Sequence, residues 1–284
     1  MKTIIIGRGN LSNALLKKLG KTHCVVLSSA DIVTTPLLLI DLINNSDRCN
    51  VILNCFQKSK ELFTVNSETI VKNSIMNLAI ILDILGGNAT KINKIIYTSS
   101  SSVYGANSNE NCLETMLVSP MNMHGALKVA CEQLISFYCN KYKIEYTIAR
   151  IFNIFGGQND TFSMIFRLID AHSSGKRITL FNRGQAIRDY IHVDDIAWAY
   201  ERLVTVTDVP ILNIASGQGI STSALITTLQ SKGISLQVDY ADNVNEISVS
   251  IANIQLAEKC LGQHHYISAF SYLEQHLLSK VSLC

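Results

Sequence analysis

Thr3-Ile-Ile-Ile6 runs straight into Gly7-Arg8-Gly9, and apolar residues then recur at helical spacing over 11–19. So short an apolar run, stopped by a glycine turn and followed at once by a helical pattern, reads as a buried strand handing over to a helix. The alternation repeats. Strand candidates fall at 3–6, 24–27, 51–55, 95–98 and 146–149, with helical spacing over 65–85 and 122–141. Parallel strands need crossovers of this kind, so the chain is read as α/β, a doubly wound parallel sheet. Only a short helical piece, 37–45, separates the second strand from the third.

Beyond Arg150 the alternation loosens. Phe162–His172 reads as a helix, Ile178–Phe181 and Asp189–Val193 as strands, Asp194–Val204 as a helix, Leu212–Gly217 as a strand and turn and Ser221–Ser231 as a helix. The expected organisation is a dinucleotide-binding unit over 1–155, with parts of 187–215 returning to it, and a smaller C-terminal substrate-binding lobe over 156–284. At 48% hydrophobic and 16% charged residues, with no low-complexity tract, a disordered chain is excluded. A net charge of +2 gives no reason to expect nucleic acid or a membrane as a partner.

The first apolar run meets a glycine turn too early for a signal peptide, and no window holds the roughly 18 uninterrupted apolar residues of a membrane span. Eight cysteines are scattered without metal-ligand spacing, so reduced thiols, a cytoplasmic location and no metal are expected.

Gly7-Arg8-Gly9-Asn10-Leu11-Ser12 sits between strand and helix, where glycine permits a sharp turn and backbone N–H groups at the helix start can face a pyrophosphate. Ser12 replaces the third glycine of the dinucleotide fingerprint. An acidic residue at the end of the second strand would take the ribose 2'-hydroxyl of NAD. Ser28 stands there, with Asp31 three residues on. Arg8 inside the turn suits a 2'-phosphate, so NADP is preferred over NAD unless Asp31 turns back into the site.

Ile95-Ile-Tyr-Thr-Ser-Ser-Ser-Ser-Val-Tyr-Gly105 and Ser119-Pro-Met-Asn-Met-His-Gly-Ala-Leu-Lys128 resemble two segments of the extended short-chain dehydrogenase/reductases, the family of nucleotide-sugar epimerases, dehydratases and reductases. The resemblance implies a Rossmann-type fold. It also implies an NAD(P)-dependent epimerase or 4-ketoreductase acting on a nucleotide-activated sugar. Carried over residue by residue, Ser100 is the serine that orients the substrate oxygen, Lys128 holds the nicotinamide ribose, and His124 stands where the family has its catalytic tyrosine.

A like charge disfavours imidazolium, so Lys128 should push the His124 pKa below its ordinary value near 6.5 and make it a base. Three roles for His124 stay open: acid/base, bystander to another proton carrier, or a mark of lost chemistry. The corresponding alternatives for the chain are a non-catalytic dinucleotide sensor and a pure scaffold. Some family dehydratases carry methionine at this position beside acidic residues near the serine; Ser100-Ser-Ser102 has none, which weighs against dehydration.

Ala149-Arg-Ile-Phe-Asn-Ile-Phe-Gly156 and Arg188-Asp-Tyr-Ile-His-Val-Asp-Asp195 match the family's substrate segments. They imply that Asn153 contacts the sugar or diphosphate and that Arg188 grips the diphosphate, while His192 is read as structural. The family's second diphosphate arginine is missing near Asn243-Val-Asn-Glu246. A homodimer through the 65–85 and 122–141 helices is implied as well. The family usually has more chain than the 37–45 helix between the second and third strands, so one strand of its sheet is expected to be short or absent.

Overall fold

The computed structural model describes residues 1–54, 67–106, 111–242 and 246–278. In chain order the main elements begin β1 (Lys2–Ile6), α1 (Asn10–Leu19), β2 (Cys24–Leu27), α2 (Ser29–Thr34), α3 (Leu37–Asn44) and β3 (Cys49–Leu53). A long helical stretch follows as α4 (Ser67–Val71), a π-helical turn (Lys72–Met76) and α5 (Asn77–Gly87). Then come β4 (Ile92–Ser100), α6 (Met123–Tyr142), β5 (Glu145–Ile151), β6 (Asn153–Phe155), α7 (Met164–Ser174), β7 (Ile178–Phe181), β8 (Ile187–His192) and α8 (Val193–Leu203). The chain continues through β9 (Ile211–Ile214), β10 (Gly219–Ser221), α9 (Thr222–Ser231), β11 (Val238–Ala241), β12 (Val249–Ser250), α10 (Gln255–Leu261) and α11 (Ala269–Leu278). The sequence expectations at Cys55, residues 65–66, Asn243–Asn245 and Cys284 lie outside the described residues.

Six parallel strands form the main sheet in the order β2-β1-β3-β4-β5-β9. Both faces are covered. Ile4, Ile6, Val51, Leu53, Ile95 and Tyr97 pack against α2, α3, α5 and α6 on one side. Ile5, Ile52, Ile96 and Ile151 pack against α1, α8 and α10 on the other. Strands buried on two faces read as continuous apolar runs, which is why β1 and β3 are nearly all Ile, Val and Leu. The chain leaves β1 on one face and β3 on the other, so a crevice opens between their C-terminal ends, where α/β sheets bind ligands.

The dinucleotide order 3-2-1-4-5-6 places a strand outside β2. Here β2 is the edge and its successor in sequence, β3, pairs with β1 instead. The connection between β2 and β3 is taken up by α2 and α3, leaving no chain for an outer strand.

Segment 187–215 divides. β9 extends the main sheet and α8 covers its α1 face, whereas β8 pairs with β6, β10 and β12 in a separate sheet. A third apolar cluster joins Phe155, Leu168, Leu180, Leu225, Leu229 and Leu273. Glu68–Gly87 is long and apolar enough to cross a bilayer, with a mean hydropathy of 1.4. Its Leu78, Ile81, Leu82 and Leu85 are buried in the core beneath the sheet.

Candidate active site

At the end of β1, Gly7 takes φ +109, a conformation that side chains rarely adopt. Ser12 is fully buried; its hydroxyl donates to the Gly7 carbonyl and accepts from Asn54 Nδ2 at 2.6 Å. Serine in place of the third glycine therefore braces the turn that it closes. Gly9 precedes α1, and a Cβ placed on it would meet nothing within 4 Å. Open space thus lies beside Gly9, before a helix start whose first N–H groups have no partner within the helix, a donor set suited to a pyrophosphate. Arg8 and Asp31 are exposed and 3.5 Å apart, so Asp31 does turn back towards the cofactor turn. Ser28 sits between β2 and α2 as the N-cap residue, without a side-chain cap bond.

The second cluster forms where β4 meets α6. Ser100 is the last residue of β4, and its hydroxyl accepts from Ser102 N at 3.2 Å and lies 2.9 Å from Ser102 Oγ. The α6 helix starts with Asn122 as N-cap, its Oδ1 accepting from Gly125 N at 2.8 Å. A Cβ on Gly125 would lie 2.5 Å from the Ser102 carbonyl oxygen. Glycine is required there because the first turn of α6 touches the serine loop, and His124 rides on that turn. Gly105, at φ +66, is equally constrained: a Cβ would come within 1.8 Å of the Ser119 carbonyl oxygen.

One turn beyond His124, buried Lys128 donates to the Thr98 carbonyl at 2.7 Å and lies 5.0 Å from the Tyr97 ring centre. The His124 pKa is pulled down to about 4, first by burial and second by the Lys128 charge. The sequence names the lysine alone; desolvation is the larger cause.

In the substrate half, Asn153 donates to the Asp189 carbonyl at 3.2 Å. Arg188 is mostly buried, with Nη2 3.5 Å from Glu246 Oε1, and Glu246 Oε2 accepts from Asn182 Nδ2 at 2.8 Å. Burial lowers the Arg188 pKa. Asp189 is fully buried and accepts from Ser216 N, Ser216 Oγ, Gly217 N and Ala252 N at 2.7–3.2 Å. Residues 188 and 189 are therefore no surface pair. His192 Nδ1 accepts from Asp194 N at 3.2 Å to cap α8, and its ring packs edge-on to Phe155, a structural role as the sequence suggests.

Residues 7–215 match the model of the NAD dependent epimerase/dehydratase family. The chain belongs to this family.

Among its curated relatives, Protein CapI of Staphylococcus aureus is 30% identical over 140 residues, covering 49% of this chain and 41% of CapI. The UDP-glucuronate 4-epimerase of Thermodesulfobacterium geofontis is 26% identical over 180 residues, 62% of this chain and 56% of the relative. The chain thus spans about half the length of the curated relatives it matches. Among solved structures, UDP-glucuronic acid 4-epimerase from Bacillus cereus, in complex with UDP-glucuronic acid and NAD, superposes with a TM-score of 0.82 at 22% identity, covering 100% of both chains. MoeE5 in complex with UDP-glucose and NAD gives 0.82 at 19% identity, again covering 100% of both chains.

Within this family member, Ser100 ends β4, His124 and Lys128 stand on α6, Gly7 to Leu11 form the turn into α1, and Arg188 and Asn153 belong to the second sheet. Sequence reasoning misses the buried network that holds the junction. Glu132, four residues after Lys128, accepts from Ser99 Oγ at 2.5 Å and pairs with Arg150 through both oxygens, at 3.1 and 2.8 Å. Arg150 also lies 4.9 Å from the Tyr104 ring centre, and the Tyr104 hydroxyl donates to Asn213 Oδ1 at 2.7 Å. The available signal is a glutamate in helical register with Lys128 and Cys131, facing a sheet whose β5 carries one arginine.

Proposed function

We propose that this family member is an NAD(P)-dependent epimerase or 4-ketoreductase that moves hydride at a ring carbon of a nucleotide-activated sugar. The observation that supports this reading is the contact of the first turn of α6, which carries His124, with the serine loop at the end of β4, together with the bond from Lys128 to the Thr98 carbonyl. A bound dinucleotide supplies the hydride acceptor and donor. Ser100 Oγ hydrogen-bonds the reacting sugar oxygen, neutral His124 takes its proton on oxidation, and Lys128 holds the nicotinamide ribose. Arg188 and Asn153 contact the diphosphate and sugar.

The test is turnover with UDP-, dTDP- and GDP-sugars together with NADH and NADPH titrations. Dinucleotide binding with no turnover on any sugar would sink the enzyme reading. It would leave a dinucleotide sensor, which the Glu246 carboxylate already beside Arg188 favours.

Asp31 lies beside Arg8, which supports NAD over the NADP that the sequence reading prefers. A carboxylate there accepts from a ribose 2'-hydroxyl and repels a 2'-phosphate, so the reading moves to NAD. NADH should bind more tightly than NADPH, and Asp31→Asn should bring NADPH up by about tenfold, an effect of ~1.4 kcal/mol. Equal affinities in both proteins would refute this.

A cytoplasmic homodimer is part of the same reading. Val71, Met76 and Ile80 on the α4–α5 stretch and Phe137 on α6 are exposed apolar side chains on the helices expected to pair. Light scattering at micromolar concentration should report a dimer, and Phe137→Glu should shift it towards monomer. A monomeric wild type would contradict the proposal.

A further inference from the structure

Sequence groups Asn10 with the cofactor turn, yet its side chain faces the other lobe. Nδ2 donates to the Gly156 carbonyl at 2.7 Å, and Oδ1 accepts from Asn159 N at 3.3 Å. The two surfaces are fitted to each other. Gly157, at φ +87, lies so close that a Cβ would come within 2.6 Å of Asn10 Oδ1. Asn10 is also the first residue of α1, so its backbone N–H belongs to the helix start where an anion would sit.

The loop it holds leads in both directions. Upstream lies β6 with Asn153. Downstream, Asp160 accepts from Gly156 N at 2.9 Å and from Ser163 N at 3.0 Å, fixing the start of α7. A Cβ on Gly156 would come within 2.2 Å of the His192 ring, so this loop cannot shift without disturbing the cap of α8. On its outer side Asn10 and His192 border a cleft of about 510 Å³.

We infer that Asn10 is a positioning residue that couples occupancy of the dinucleotide turn to the geometry of loop 156–159, so that dinucleotide and nucleotide-sugar bind cooperatively. The inference rests on the proposed function. An anion at the α1 start fixes the Asn10 backbone, and a fixed backbone holds the side chain on Gly156 and Asn159. The lobe carrying Asn153 is then ordered before the sugar arrives, and the second ligand meets a smaller ordering cost. By linkage each ligand tightens the other by the same factor, and couplings of this kind typically run from about 5- to 150-fold.

The experiment measures the NADH dissociation constant by fluorescence, with and without saturating UDP-glucose, in wild type, Asn10→Ala, Gly157→Ala and the double variant. In the wild type, UDP-glucose should tighten NADH at least about fivefold. Asn10→Ala removes the side-chain tie to Gly156 and Asn159, so the coupling factor should fall towards one whatever the affinity for NADH alone. Gly157→Ala attacks the same contact from the other side. It should uncouple likewise, and the double variant should lose no more than either single one.

A wild type that binds both ligands without coupling overturns the inference. So does Asn10→Ala with coupling intact, whether NADH affinity falls more than about tenfold, which would make the side chain a direct cofactor contact, or only thermal stability falls, which would make it a structural tie. A wild type that binds no NADH or no UDP-glucose brings down the functional reading itself, a result distinct from these.

Discussion

Arg150→Ala is expected to destabilise the folded chain by about 3–5 kcal/mol, because it leaves the Glu132 carboxylate in the core without its guanidinium. Both side chains are only 4% exposed and are joined through two hydrogen bonds, so water cannot take the place of the lost partner. At roughly 2–4 °C per kcal/mol for a chain of this size, the thermal midpoint should fall by about 6–20 °C. The loss should concentrate at the site, since Glu132 also holds Ser99, the neighbour of Ser100. Arg150→Met with Glu132→Leu should recover much of the stability, because a pair of apolar groups needs no compensation. A single Arg150→Ala variant whose unfolding free energy, from denaturant titration, lies within about 1 kcal/mol of wild type would mean that the pair is not what holds the junction.

The second large effect concerns His124. Its alanine variant should lose oxidative turnover by about 100- to 10,000-fold if the imidazole is the base. With the pKa at about 4, the ring is neutral through the physiological range. Wild-type oxidation should therefore be flat with pH above about 5.5 and fall only on approach to 4. Reduction is the opposite case. The proton-bearing form is only about 0.1% of the population at pH 7, so any reduction that draws its proton from His124 should rise about tenfold per pH unit on acidification.

A tyrosine at 124, with a reference pKa near 10, holds its proton at neutral pH and should shift the balance towards reduction. Reduction that is flat with pH in the wild type would mean that the proton comes from another group.

The same shift appears as a stability effect. The folded pKa lies below the unfolded value, so the unfolded chain takes up a proton first. Stability is then full above about pH 6.5 and is lost as pH falls towards 4. His192 is shifted the same way by burial, so His124→Ala should flatten this acid limb without abolishing it.

The sheet was legible because strands buried on both faces write themselves as uninterrupted Ile and Val runs. The His124–Lys128 spacing and the glycine turn were legible because each carries a local backbone demand. What escaped the sequence depends on contacts between distant residues. Nothing in Arg150 alone points to Glu132, nothing in Asn54 points to Ser12, and nothing in Asn10 points to the loop at 156–159 that its amide meets. The depression of the His124 pKa could be signed from Lys128, but its larger cause is burial, which only packing reveals. Arg188 was found as a cation, while the carboxylate beside it comes from a strand connection 58 residues later.

The position of β9 has a consequence for how the chain is made. Residues Ile211–Ile214 close the edge of β5, and α8 lies over the face formed by Ile5, Ile52 and Ile96. A nascent chain that has left the ribosome only as far as residue 155 therefore carries a sheet with an open edge and an apolar face covered by α1 without α8 or α10. Such a half should gather chaperones or aggregate, and completion of the main sheet must wait until the chain has been synthesised through β9.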